Sequence, residues 1–280
     1  LSRPTIPADW HNFDVPDLGG EKYVLSGRDA MAGGTWLGMN KKGDVTLLTN
    51  ITELVGRYSS SRGELTSSFL ALPTSSNGTS DDRISRYVKA LLSQQRSYAG
   101  FNLLLASPTI SHGQFDYHGV MVTNSQGGGD ITSRPLSERE CLSCGLSNSN
   151  DAVCESSEDS EWPKVSEGRK LFEKVINQED LDGDGLIEAL CQVMRYNPTK
   201  PTTRYSLRTT ISVPPIPVEP GAWSNTDYYG TRLTSVILVR RDGSVTFVER
   251  DVWVQKNGVG ELEKCSDASS QRRFDFQIDA

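Results

Sequence analysis

The sequence predicts an α+β protein whose strands form mainly antiparallel sheets, with helices packed outside them. Three observations carry this. A strand, a tight turn and a second strand are written near both ends of the chain, over about 35–51 and about 229–250. Segments with helical apolar spacing fall between them, near 62–92 and 164–196. The order is therefore strands, helices, strands, helices, strands, without the regular alternation that builds a parallel sheet.

Residues 1–22 carry Pro4, Pro7, Pro16 and the pair Gly19-Gly20, and read as irregular chain. In the first hairpin Thr35, Trp36, Leu37 and Val45 favour a pleated surface, and Lys41-Lys42-Gly43-Asp44 supplies the turn. Trp36 is expected in the core. Gly34 marks a place where the backbone turns sharply or approaches another group. Residues 62–70 read as one short helix. Ser80-Asp81-Asp82 are suited to cap a second, which puts Ile84, Val88, Leu91 and Leu92 on one face.

Phe101-Asn102-Leu103-Leu104-Leu105-Ala106 reads as a buried strand stopped by Pro108. Residues 114–123 form its antiparallel partner, with Phe115, Tyr117, Val120 and Val122 at the apolar positions. Residues 124–161 are rich in Ser, Gly and acidic residues, with a short strand near 144–147. Helices follow over about 164–177 and 185–196. The six prolines of 197–226 make that stretch an extended surface loop. The closing hairpin turns on Arg240-Arg241-Asp242-Gly243, as the first turns on a basic pair with Gly and Asp. The expectation is one domain over 1–280, with 124–161 and 197–226 as loop-rich insertions.

Composition narrows the partners. A net charge of −7 gives no attraction to phosphate backbones or anionic lipid, so nucleic acid is not expected as a partner. No apolar run is long enough to be a transmembrane segment. The chain opens on Leu1 without a basic-then-apolar leader, which reads as a start inside a longer protein or after a removed segment. Five cysteines, at 141, 144, 154, 191 and 265, are an odd set and not a disulfide framework. Without a leader, the acceptor patterns Asn50-Ile51-Thr52 and Asn77-Gly78-Thr79 have no glycosylating compartment, and a reducing, cytoplasmic location is expected.

Several segments touch on chemistry. Asp180-Leu181-Asp182-Gly183-Asp184-Gly185 opens like a calcium loop, but its twelfth position is Cys191 where a bidentate Glu belongs. A turn capping the following helix explains the same residues. Cys141 and Cys144, with Cys154 beyond, are three thiolates where a structural zinc needs four ligands. His11, His112 and His118 have no metal-ligand spacing, and no serine stands in a nucleophile elbow. No metal is expected. Gly34-Thr35 and Gly230-Thr231 each place a Thr where an N-terminal nucleophile would sit after cleavage, although a glycine turn leading into a strand accounts for both.

Blocks spread over almost the whole chain carry a family likeness. They are Leu1-Ser2-Arg3-Pro4, Gly33-Gly34-Thr35-Trp36-Leu37-Gly38, Leu48-Thr49-Asn50, Ser61-Arg62-Gly63-Glu64-Leu65 and Gly100-Phe101-Asn102-Leu103. Later come Gly145-Leu146-Ser147-Asn148, Trp162-Pro163-Lys164 with Gly168, Tyr229-Gly230-Thr231-Arg232, and Val245-Thr246-Phe247 with Glu249-Arg250. In order and spacing they resemble the Transport and Golgi organization protein 2 family, whose members open with Met-Cys and an Asn-Arg-Asp-Glu motif.

The resemblance implies an N-terminal-nucleophile-hydrolase-like αββα sandwich of two mainly antiparallel sheets with flanking helices. In the family Ser-Arg-Pro follows the Asn-Arg-Asp-Glu block, so this chain is expected to lack the N-terminal Cys, the motif and the first strand. By analogy with amidohydrolases of that fold, Asn50, Asn148 and Arg232 would line the pocket. For each, turn or strand-end hydrogen bonding is the alternative.

Two functions follow as expectations. The first is a cytosolic trafficking factor in Golgi organisation and protein secretion, associated with the Golgi or mitochondria and with secretory-pathway proteins. It would bind or move haem or an acyl lipid such as acyl-CoA in a cleft between the sheets, linking it to haem trafficking and lipid homeostasis. The second is an amidohydrolase using an N-terminal Cys, inactive in the truncated chain. A structural tether would need coiled-coil heptads, and none are visible.

Overall fold

Seven strands pair in chain order to form the largest sheet: β1 (Thr5–His11), β2 (Val24–Asp29), β3 (Leu37–Asn40), β4 (Val45–Asn50), β5 (Phe101–Ser111), β6 (Gln114–Thr123) and β7 (Thr132–Pro135). Every pairing is antiparallel. The computed structural model describes residues 5–13, 23–54, 56–73, 80–94, 96–150, 161–198, 205–217, 228–255, 262–265 and 270–279. Contacts gather into two units, one of Thr5–Glu161 with Arg240–Ser244 and Gln277–Ala280, the other of Trp162–Val239 with Val245–Phe276.

In the first unit two helices cover one face of the sheet, α1 (Gly63–Leu70) and α2 (Ser80–Ser93). Leu65, Phe69 and Leu70 of α1 and Ile84, Tyr87, Val88 and Leu91 of α2 pack on Val24, Leu48, Phe101, Leu103, Leu105 and Val122. Each fully buried side chain of this kind contributes about 1.5–3 kcal/mol. Leu92, expected on the packed face, is 51% exposed. It stands one residue past Leu91, about 100° around the helix, and Tyr87 fills the stripe instead, its hydroxyl donating to the Leu65 carbonyl at 2.6 Å. The Ser80-Asp81-Asp82 cap falls on side chains outside the described residues.

The structure revises other expectations. The proline-rich start contains β1, an edge strand with a bulge between Ile6 and Asp9, and this is where a sheet tolerates Pro7. Pro108 does not stop β5, which continues to Ser111. Beyond Ala106 the strand pairs only with β6, so the missing proline donor costs no second ladder. Trp36 is only half-buried, because it precedes β3 rather than standing in it. No strand forms at 144–147. Instead β7 and a short helix α3 (Glu138–Leu142) occupy the Ser-rich stretch, and Ser137 with Glu140 closes a capping box on α3.

The second unit holds α4 (Pro163–Ile176), α5 (Gly183–Val193), a 3-10 turn (Tyr205–Arg208) and the remaining strands. These are β8 (Ile216–Pro217), β9 (Tyr228–Tyr229), β10 (Leu233–Val239), β11 (Ser244–Asp251), β12 (Trp253–Gln255), β13 (Leu262–Lys264) and β14 (Gln271–Gln277). β10, β11 and β14 make a three-stranded sheet, and β8–β9 and β12–β13 are two-stranded ribbons. Ile187 and Cys191 of α5 pack on Val236 and Val248. The calcium-like segment is a helix cap: the Asp182 carboxylate accepts from the Gly185 N–H at 2.7 Å.

Candidate functional site

Strand alternation sends successive side chains of the seven-stranded sheet to opposite faces. One face lies under α1 and α2. On the other, the register sets Leu37, Leu47, Leu104 and Met121 side by side on β3 to β6. The next row along the strands joins Leu25, Met39, Val45 and Ala106. Leu25, Met39 and Met121 are fully buried, while Leu37, Leu47 and Leu104 are only half-buried.

At the end of this apolar face stands a polar row. Thr49, Asn102 and Thr123 are direct cross-strand neighbours on β4, β5 and β6. The Asn102 amide donates to the Ser149 carbonyl at 2.7 Å, to Thr49 Oγ1 at 3.2 Å and to the Ser147 carbonyl at 3.3 Å. Thr49 Oγ1 donates to the Ser147 carbonyl at 2.6 Å, and Thr123 Oγ1 lies 3.1 Å from Asn102 Oδ1. Asn102 is fully buried, so these bonds answer the desolvation of its amide. Their effect is to moor 147–149 across the sheet end.

Asn50 and Asn148 meet here. Asn148 Nδ2 donates to the Asn50 carbonyl at 2.7 Å, and the Asn148 carbonyl accepts from the Thr52 N–H at 2.9 Å. Asn148 thus makes a strand-end clamp, and Asn50 turns its side chain to solvent. Arg232 belongs to the second unit. Its carbonyl accepts from Val252 and Trp253, and burial lowers its guanidinium pKa against the opposing charges of Asp251 and Glu249.

Sequence reasoning places Asn102 in an apolar strand and gives it no role. A lone amide inside a buried apolar run was the available signal, since such a group must find partners. Those partners lie 47 and 53 residues away, beyond any local pattern.

The other chemical groups sit elsewhere. His11, on β1, takes the helix-covered side with Ser26, its Nε2 2.8 Å from Ser26 Oγ. Burial drives its pKa down to about 4, with the Arg28 charge adding to the effect. His118 shares that face through its register with Ser107, and His112 occupies the left-handed position of the β5–β6 turn. Cys141, in α3, and Cys144, just past its end, are exposed, and burial raises the pKa of Cys191. Cys154 lies outside the described residues. Under α2, Asp44 is held by Arg83 Nε at 2.7 Å, Asn40 Nδ2 at 2.8 Å and Ser107 Oγ at 2.5 Å.

Fold and site define an α+β protein with a large antiparallel sheet, one face of which is apolar and ends in neutral hydrogen-bonding groups. Amides and hydroxyls of this kind orient a polar group but neither take up nor release protons near neutral pH. Comparison with known sequences supplies the family. The Transport and Golgi organisation 2 family model matches residues 1–253, and the chain belongs to that family. The chain is 31% identical to the Transport and Golgi organization protein 2 homolog of Bos taurus over 258 residues, covering 89% of this chain and 82% of the relative. To the Mus musculus homolog it is 30% identical, over 90% of this chain and 82% of the relative. An uncharacterized Saccharomyces cerevisiae protein is 25% identical, over 99% of this chain and 92% of the relative.

Proposed function

We propose that this chain serves transport and Golgi organisation as a non-enzymatic carrier of an acyl lipid, bound along the face of the seven-stranded sheet opposite α1 and α2. One observation carries the reading: half-buried Leu37, Leu47 and Leu104 lie beside a polar row whose half-buried member, Thr49, is the one a ligand head can reach. That pairing suits a ligand with an apolar body and a polar head. Haem fits this face less well, because none of the described histidines lies on it to ligate iron. The same reading makes the protein cytoplasmic, with access to Golgi or mitochondrial membranes and to secretory-pathway proteins. It keeps the N-terminal-nucleophile-hydrolase-like sandwich as the fold class.

The test is titration of the chain with a long-chain acyl-CoA and, separately, with haem, followed by calorimetry. Saturable acyl-CoA binding that Leu104→Gln weakens is expected, with the circular dichroism of the variant unchanged. Absence of saturable acyl-CoA binding overturns the lipid reading, and tighter binding of haem than of acyl-CoA reverses the preference between them.

A further inference from the structure

In the second unit a cavity of about 100 Å³ is lined by Arg195, Asn197, Ser212, Trp253, Lys264 and Cys265, among others. We infer that it is a binding site for a phosphate-sized oxyanion, in particular a phosphate monoester whose organic part lies against Trp253.

Charge comes first. Two cations, Arg195 and Lys264, line the cavity, and none of the described carboxylates does. Neither forms an ion pair with a described residue, although salt bridges occupy Arg250, Arg272 and Arg273 in the same unit. Glu188, on the helix that Arg195 follows, is bound to Arg250 at 2.5 Å, and the Arg195 charge reaches it only at longer range, without an ion pair. An arginine fork and a lysine point charge converging on one small space are the usual chemistry of phosphate recognition.

Neutral groups complete the site. Asn197 Oδ1 accepts from Thr210 Oγ1 at 2.8 Å, so the Asn197 amide can present its N–H donors to the cavity. Ser212 adds a hydroxyl. Backbone bonds fix the walls: Ser212 N to the Tyr196 carbonyl at 3.1 Å, Cys265 N to the Val252 carbonyl at 2.9 Å, and Arg195 N to the Gln192 carbonyl at 3.0 Å. A backbone fixed beneath these side chains lowers the cost of ordering them around an anion.

Size limits the ligand. Sites for whole drug-sized molecules run to about 300–1,000 Å³, so this cavity admits a head group rather than a complete cofactor. Trp253, half-buried in the wall, offers its indole to whatever the oxyanion is attached to.

Calorimetric titration of the whole chain with inorganic phosphate and with phenyl phosphate tests the site, and neither probe carries an acyl chain. Saturable binding is expected for phenyl phosphate, weakened about tenfold or more by Arg195→Gln and by Lys264→Gln. Bound anion is also expected to slow alkylation of Cys265 by iodoacetamide, read on its peptide by mass spectrometry, while the exposed Cys141 and Cys144 react as before. Phenyl phosphate binding more tightly than phosphate supports the monoester. Equal affinities overturn the part given to Trp253 and leave a free-ion site. No saturable binding of either probe, or binding indifferent to both substitutions in variants of unchanged circular dichroism, overturns the site.

Discussion

Gly34 and Gly63 meet backbone against backbone: a β-carbon placed on Gly34 would lie 2.4 Å from the carbonyl carbon of Gly63. The contact brings the start of α1 onto the chain just before β3, where Thr35 N bonds the Gly63 carbonyl at 3.4 Å and Thr66 Oγ1 bonds the Thr35 carbonyl. Gly34→Ala must push one backbone segment off the other and is expected to cost about 1–3 kcal/mol or more. Gly63→Ala places its β-carbon 3.3 Å from Gly34 and is expected to cost less. Urea unfolding of the two variants gives the order, and an equal cost would mean that the contact does not limit the packing.

Asn102 and Asn50 stand close to one another on the sheet end but differ in what they hold. Asn102→Ala leaves Thr49 Oγ1 and the carbonyls of Ser147 and Ser149 short of a partner. Its expected cost is about 1–3 kcal/mol, with faster amide exchange over the moored segment. Asn50→Ala removes an exposed side chain and is expected to change stability by less than about 0.5 kcal/mol. If Asn50→Ala is the more destabilising in denaturant titration, the mooring account is wrong.

Asp44 is an almost fully buried carboxylate paired with Arg83, which also donates to the Leu72 carbonyl at 2.8 Å. Asp44→Asn keeps the shape but leaves a buried guanidinium without its counter-charge. A loss of about 3–5 kcal/mol is expected in chemical denaturation. A loss near zero would mean that solvent reaches the pair.

His11 sets a pH dependence. Its folded pKa of about 4 lies below the ordinary imidazole value of 6.5, so the unfolded chain binds the proton more readily. The His11 contribution is therefore fully present above pH 6.5 and declines as the pH falls toward 4. NMR of the imidazole should find it neutral at pH 5.5, between those two values. His11→Leu should flatten the stability slope over the same window, and an unchanged slope would assign it to another group.

Glu140 acts at lower pH. The Arg134 fork, at 2.8 Å on each oxygen, holds its pKa down to about 2 from 4.5, helped by Ser137 at the capping box. Its contribution is present above pH 4.5 and is lost as the pH falls through 2. Denaturation of the parent chain and of Glu140→Gln should therefore differ above that window and converge below it.

The sequence alone determined what is written locally. β-favouring residues around a turn of a basic pair with Gly and Asp marked both hairpins, 3.6-residue spacing marked the helices, and 114–123 was legible as the partner of β5. Family membership was legible too, because short blocks in a fixed order survive where most positions differ. At Gly34 the sequence offered either a sharp turn or a close approach, and the contact with Gly63 is the approach.

Tertiary structure decided the rest, for identifiable reasons. β1 was hidden because Pro7 signals a loop until an edge and a bulge accommodate it. Pro108 was misleading because the strand changes there from two partners to one. The polar row was invisible because Thr49, Asn102 and Thr123 become neighbours only through the register of three strands. Asn148 acquires its clamp on Asn50 from a segment 98 residues away. A pattern within one segment fixes which face a side chain takes, and only the pairing of distant segments fixes what it meets there.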